Sequence, residues 1–200
     1  MDIHRAELKD YSSIAKLHRN SIRKGFLSSL GIPFLSRLYE AINRESGACV
    51  LVAENKNTIV GFIAGVADIR GLFKKILLKQ WFYFMIPLLH FICNGSIIKK
   101  MVETVLYGLK RDKSSQSKDT CTAELLSVVV RKELQGRGIG KKMVMELETF
   151  FKCNDIRKYK VVTFSRDSQS NYFYTSFDFR LVKTFTHHGN VMNEYIKKIT

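Results

Sequence analysis

Residues 124–151 read ELLSVVVRKELQGRGIGKKMVMELETFF. Leu125 to Val130 is apolar and largely β-branched, interrupted only by Ser127, which predicts a strand buried on both faces. Gln135, Gly136, Arg137, Gly138, Ile139 and Gly140 follow. Met143, Val144, Leu147, Phe150 and Phe151 then recur at helical spacing. Glycines directly before a helix leave backbone N–H groups uncovered, and the helix N-terminus adds unpaired N–H groups and a positive partial charge. Together they form a seat for a phosphate or pyrophosphate, with Arg137, Lys141 and Lys142 adding full charges.

The spacing of the loop narrows the choice of anion. A Walker loop needs a glycine where Gln135 stands and Ser or Thr where Lys142 stands. A dinucleotide loop needs a third glycine where Lys141 stands. What matches is Q/R-x-x-G-x-G/A, as Gln135, Gly138 and Gly140 after an apolar strand. This resembles the GCN5-related N-acetyltransferase (GNAT) superfamily, whose motif of this form grips the pyrophosphate of acetyl-CoA. The resemblance implies acetyl-CoA as co-substrate, held by Gln135, Gly136, Arg137, Gly138, Ile139, Gly140 and Lys141. It also implies that the backbone of Val128, Val129 and Val130 lies along the pantetheine arm, in a slot where this strand splays from the next.

The first third agrees with that fold. Met1 to Glu7 predicts an opening strand. Asp10 is placed to cap a helix over Tyr11 to Arg23, with Ile14, Leu17 and Ile22 inward. Gly25 to Gly31 breaks the pattern, and Pro33 opens a second helix to about Asn43. Cys49 to Glu54 and Thr58 to Asp68 predict two strands joined at Asn55-Lys56-Asn57. The order β, α, α, β, β is how a GNAT chain begins. The expected fold is α/β (α+β): a GNAT-like, mixed, mostly antiparallel central sheet with flanking helices. By GNAT analogy, Arg23, Lys24, Phe26, Ser28 and Ser29 lie where the acceptor pocket is shaped. The stretch FLSSLGIPFLSRLYEAI (26–42) resembles bacterial GNAT proteins associated with surface-polysaccharide biosynthesis.

One domain is expected over residues 1–200, with residues 70–120 as an insertion between the third and fourth strands: a helical part, then a polar loop (KRDKSSQSKD, 110–119). Gln80 to Ile98 carries no formal charge and includes WFYFMIPLLHFIC, which approaches the length of a membrane span. Topology argues against a span, since the strands on either side must pair in one sheet. A helical hairpin covering the acceptor pocket, a homodimer face, or peripheral contact with anionic lipid through residues 72–109 are the alternatives. His90 is expected to pack rather than react.

Acetyl transfer from a thioester to an amine needs a neutral amine, a stabilised oxyanion and a protonated leaving thiolate. Glu124 stands eleven residues before Gln135, the offset of a catalytic glutamate in the histone-acetyltransferase branch of GNAT enzymes, which implies a base; the other readings are an exposed strand-end glutamate or one paired with a lysine. Downstream, Tyr159 to Phe164 predicts the partner strand. Asp167 to Phe179 resembles the GNAT segment N-x-x-A-x-x-F-Y-x-x-x-G-F, with Phe173, Tyr174 and Phe179 matching. Tyr174 then stands where a GNAT tyrosine protonates the CoA thiolate. Asp167 replaces the Asn that contacts pantetheine, for which Asn171 is the expected substitute. Asp178 replaces a Gly, a change Asp tolerates because it adopts left-handed backbone better than most residues. Leu181 to Thr186 and Val191 to Ile199 predict closing strands.

The formal net charge is +15, favouring acidic partners such as CoA, nucleotide-linked sugars or anionic lipid. No zinc-finger or RNP-type pattern points to nucleic acid. Four scattered cysteines without CxxC spacing predict free thiols in a reducing cytoplasm, and MDIHRAELKD is no signal peptide. No metal is expected. The sequence thus predicts an N-acetyltransferase acting on a small-molecule amine, such as a nucleotide- or lipid-linked amino sugar. It would be cytoplasmic, with the inner membrane surface a second location for the insertion. A protein or peptide amine, and a non-catalytic acyl-CoA-binding module, are the alternatives.

Overall fold

The computed structural model describes residues 1–22, 26–79, 121–187 and 189–199. Alternating apolar residues build a seven-stranded sheet in the order β1-β2-β3-β4-β5-β7-β6. The strands are β1 (Asp2–Arg5), β2 (Ala48–Asn55), β3 (Thr58–Val66), β4 (Glu124–Val130), β5 (Lys158–Phe164), β6 (Arg180–His187) and β7 (Asn190–Lys198). All neighbours pair antiparallel except β4 and β5, which are parallel. The predicted mixed, mostly antiparallel sheet is therefore present, with strand ends displaced by one or two residues.

The sheet is covered on both faces. On one, α1 (Tyr11–Ser21), α3 (Gly31–Arg44) and α4 (Ile69–Lys79) pack Ile14, Leu35, Tyr39, Ile42, Leu72 and Ile76 onto Val50, Val52, Phe62 and Ala64. On the other, α5 (Ile139–Cys153) packs Met143, Val144, Leu147 and Phe151 onto Ile63, Leu125, Tyr159 and Val161. α6 (Ser168–Thr175) joins the second layer through Tyr174. Helix α5 sits close because β3 offers Gly65 beneath it. A Cβ at Gly65 would collide with Leu147 and press on Phe151 at 3.1 Å.

Three expectations about local structure need correction. The Gly25-to-Gly31 break contains a short helix, α2 (Phe26–Ser29). Asp10 stands before α1, but its carboxylate accepts the backbone N–H of Glu7 at 2.8 Å instead of capping the helix. Ser28 does not face an acceptor: its hydroxyl donates to the Ile22 carbonyl and is buried. Arg23 and Lys24, residues 80–120 with His90, and the side chain of Phe26 lie outside the described residues, and Ser29 is exposed. Asp178, by contrast, adopts the left-handed backbone anticipated for it, with φ 61°. Cys49 and Cys121 are buried free thiols, whereas Cys153 is exposed. Among the described residues no helix is long and apolar enough to cross a membrane.

Candidate active site

Strands β4 and β5 pair only at Glu124–Lys160 and Leu125–Val161. Beyond that point they part, while β5 remains paired to β7 along its whole length. The β4 edge from Leu126 to Val130 therefore borders an open slot, because a strand edge without a neighbour keeps its backbone groups unpaired. Val129 packs on the α1/α3 side, and Val128 and Val130 pack on the α5 side, so only backbone is left for the slot.

The glycine loop closes one end of this slot. Gly136 and Gly138 both have φ 76°, a conformation L side chains rarely adopt, and nothing lies within 4 Å of a Cβ built on either. The loop is thus open as well as left-handed. Gly138 is the N-cap of α5, and the first intrahelical bond is Lys142 N–H to the Gly138 carbonyl at 3.0 Å. The preceding N–H groups, of Ile139, Gly140 and Lys141, precede that first bond and form the expected anion seat. Ile139 is buried and anchors the helix, so it contributes backbone. Arg137, Lys141 and Lys142 are exposed around the seat, with Lys141 Nζ 5.3 Å from the centre of the Phe177 ring. The Gln135 side chain ties the loop to its surroundings. It donates to the Val130 carbonyl at 3.1 Å and accepts from Gln169 of α6 at 2.9 Å. Gly140 makes room for Phe173, whose ring lies 3.2 Å from where a Cβ would be.

From α6, Asp167 is the N-cap: its carboxylate accepts the N–H of Ser170 at 3.1 Å and the Ser170 hydroxyl at 2.8 Å. Asn171 is equally occupied. Its amide donates to the carbonyls of Phe164, Ser165 and Asp167, and its oxygen accepts from Asn193 at 3.0 Å and Tyr195 at 2.7 Å. Both hydrogens and both lone pairs are used, so its side chain binds the β5–α6 loop to β7 rather than reaching into the slot. Tyr174 differs. Its ring is buried against Phe173, Phe179 and Tyr195, yet its hydroxyl makes no hydrogen bond among the described residues. Burial, with the charge of Asp167 adding to it, holds this phenol above its ordinary pKa and so keeps it protonated.

The opposite face of the slot carries charge. Leu125, Tyr159 and Val161 point toward α5, so the intervening Glu124 and Lys160 point toward the α1/α3 side. Their side chains pair at 3.4 Å, with Glu124 16% exposed and Lys160 5%. Of the alternatives for Glu124, the structure thus shows pairing with a lysine. Glu194 of β7 is buried on this face too, opposite Val162 across the β5–β7 pair. Lys160 was visible as one charge inside an apolar strand, but only the sheet register shows that it meets Glu124. Among the described residues no group of three His, Cys, Asp or Glu side chains could hold a metal.

A strand, a glycine loop and a helix N-terminus beside a splayed parallel pair are shared with known proteins. The sequence pattern described as "Acetyltransferase (GNAT) family" matches residues 17–179. The chain belongs to this family. GNAT membership makes it an acetyl-CoA-dependent N-acetyltransferase. Solved GNAT-fold structures superpose over its length. A ribosomal-protein-alanine N-acetyltransferase from Brucella melitensis has 14% identity and TM-score 0.63, with 100% of both chains covered. Ard1 from Thermoplasma volcanium has 11% identity and TM-score 0.62, covering 100% of this chain and 97% of that one. YncA from Salmonella typhimurium, solved with its cofactor acetyl-CoA, has 14% identity and TM-score 0.62, covering 99% and 93%. No curated protein matches the sequence. In this GNAT chain, the fold family's donor fits what is present: an open loop of backbone N–H groups ringed by cations at one end of a slot wide enough to have lost its strand pairing.

Proposed function

We propose that this acetyltransferase moves acetyl directly from acetyl-CoA to the amine of a small acceptor, with donor and acceptor meeting in the β4–β5 slot. The observation that carries this reading is the Tyr174 hydroxyl, without a hydrogen bond among the described residues, on the face of the slot that also holds the anion seat. The loop from Gln135 to Lys141 holds the pyrophosphate through backbone N–H groups, and Arg137 and Lys141 add charge. Pantetheine lies along the backbone of Val128 to Val130, and Asn171 shapes the slot from behind. The acceptor enters from the Glu124 face.

The neutral amine nitrogen attacks the thioester carbonyl, and its electron pair moves onto oxygen, where a β4 backbone N–H receives it. Collapse breaks the C–S bond. Tyr174 gives its proton to the departing thiolate, and Glu124 takes the proton from the new C–N bond's nitrogen, directly or through water. Lys160 assists in two ways: it keeps Glu124 ionised, as a base must be, and its ammonium disfavours a second ammonium beside it. The acceptor amine is thereby biased toward its neutral form.

For the acceptor, the +15 charge and the resemblance over residues 26–42 support a nucleotide- or lipid-linked amino sugar of the kind used in surface polysaccharides. A second reading is a peptide amine, favoured by the likeness to the ribosomal-protein-alanine enzyme. Peripheral membrane contact or a homodimer through residues 72–109 belongs to the same proposal, motivated by the uncharged run at 80–98. The test is CoA release from acetyl-CoA across nucleotide-linked amino sugars, peptide amino termini, lysine peptides and polyamines. Gly138→Asp sets the background, since it puts a carboxylate where the anion's charge would sit. Release with an amino sugar alone supports the first reading and release with amino-terminal peptides the second. Silence throughout, with acetyl-CoA still bound by the parent, would leave a lipid-linked amino sugar, which the panel lacks, or a non-catalytic acyl-CoA-binding module.

A further inference from the structure

Strand β4 contains a β-bulge where β5 leaves it. Its register with β3 jumps from Ala64–Ser127 to Gly65–Leu125, so Leu126 has no partner. The last β4–β5 pair is Leu125–Val161, immediately before that extra residue. Consecutive strand residues normally point to opposite faces, but Leu126 and Ser127 both face the α1/α3 layer. The bulge therefore redirects the β4 backbone at the mouth of the slot.

A buried chain of polar groups meets the bulge from that layer. Tyr39 of α3 donates its hydroxyl proton to Ser127 Oγ at 3.2 Å. His18 of α1 lies 2.6 Å from the same hydroxyl through Nδ1. With the Tyr39 proton directed at Ser127, Nδ1 donates to Tyr39, and the neutral ring keeps Nε2 as a lone pair. The rings are held in place: Tyr39 packs edge-on to Phe62 at 5.0 Å, and His18 stacks on Phe62 at 6.5 Å. Phe62 is the β3 partner of Val129, one pair from the bulge's own neighbour Val128.

Stability alone does not account for this arrangement. His18 is 3% exposed, and its Nε2 has no hydrogen-bond partner among the described residues. A buried polar atom left unsatisfied is a cost that a phenylalanine at this position would avoid. Nor is the chain a proton relay. Burial lowers the imidazole to about 4, which makes it a poor proton acceptor at neutral pH. What a neutral, fixed imidazole does is orient the Tyr39 hydroxyl, and through it Ser127.

We infer that His18, Tyr39 and Ser127 are positioning residues that hold the β4 bulge so that a backbone N–H between Leu126 and Val128 points at the donor carbonyl in the slot. The inference rests on the donor lying in the β4–β5 slot as proposed above. It makes the oxyanion donor a property of three side chains on the acceptor-facing layer, none of which touches the reacting atoms.

The test reads the carbonyl itself and needs no acceptor. The probe is acetyl-CoA carrying ¹³C at the acetyl carbonyl, observed by NMR free and bound to the full chain. A polarising N–H moves the bound resonance downfield. Tyr39→Phe and Ser127→Ala are expected to bring it at least halfway back toward the free position, with acetyl-CoA affinity changed less than threefold. Ser127→Thr, which restores a hydroxyl, is expected to retain the parent shift. With an acceptor that turns over, kcat should fall roughly tenfold in the first two variants at unchanged KM for acetyl-CoA, less than the ~10²-fold that follows outright loss of an oxyanion donor. Identical bound resonances in parent, Tyr39→Phe and Ser127→Ala would overturn the inference and leave the donor reading intact. A parent resonance that does not move on binding would also overturn it. Absence of acetyl-CoA binding by the parent would overturn the donor reading, and this inference with it.

Discussion

Burial holds the Tyr174 phenol above its ordinary range, so the hydroxyl carries its proton throughout the physiological range, as the proposed acid must. Tyr174→Phe keeps the ring that packs on Phe179 and removes only the hydroxyl. Turnover is expected to fall by about 10²-fold while acetyl-CoA affinity measured by calorimetry stays the same. Equal turnover in the variant removes Tyr174 from the mechanism. His18 supplies a pH test. Its imidazole is lowered from 6.5 to about 4, so between these values the unfolded chain binds a proton that the folded chain refuses. Its contribution to stability is therefore fully present above pH 6.5, is lost as pH falls through this window, and is level below about 4, with a full size of about 3 kcal/mol. His4 acts in the opposite sense, because its hydrogen bond to Glu54 raises its pKa, and its contribution is lost as pH rises. The comparison should therefore be between variants: urea unfolding of His18→Gln is expected to lose less stability from pH 6.5 to 4 than the parent. Parallel curves would show that the folded protein does not resist protonating His18.

At the scale of elements, the slot depends on how closely α5 and α6 approach the sheet. Gly65 lets Leu147 and Phe151 of α5 sit against β3, and Gly140 lets Phe173 of α6 sit against the start of α5. Gly65→Ala places a methyl group into Leu147, with backbone and α5 both needing to shift. The expected loss is about 1–3 kcal/mol in urea unfolding, and a lowered acetyl-CoA affinity should accompany it because α5 carries the anion seat. A variant as stable as its parent would mean that α5 slides without cost. The strands, α1, α3 and α5 were legible from periodicity, since each has one apolar face or an apolar run. The α2 turn was not, because four residues show no period. The roles of Asp10, Gln135 and Asn171 were also hidden. Each binds a backbone group brought near by a turn, a contact that spacing alone does not reveal.

The whole molecule carries a formal charge of +15, and the cations Arg137, Lys141 and Lys142 stand at the mouth of the anion seat. A highly charged donor should therefore be attracted before contact, and salt should screen that attraction. Raising ionic strength from about 0.05 to 0.5 M is expected to weaken acetyl-CoA binding by roughly tenfold, with little effect on an uncharged pantetheine thioester. Equal salt dependence for both probes would assign the effect to something other than steering. In the proposed reaction the two faces of the slot divide labour: phosphate seat and phenol on the α5 side, and Glu124, Lys160 and the His18–Tyr39–Ser127 chain on the other.

The sequence by itself determined the order of the strands and of α1, α3 and α5, the glycine loop and the donor, because these rest on local properties: strand alternation, helical period, and glycines that free backbone N–H groups just before a helix. Its resemblance to GNAT enzymes also pointed to Glu124 and Tyr174. Only the tertiary structure decided that β4 and β5 part after two pairs, that Leu126 forms a bulge there, and that Lys160 rather than solvent stands beside Glu124. His18, Tyr39 and Ser127 span more than a hundred residues of chain yet share one hydrogen-bonded line. Such pairings are set by sheet register and by helices crossing a common face, and neither leaves a local period in the chain.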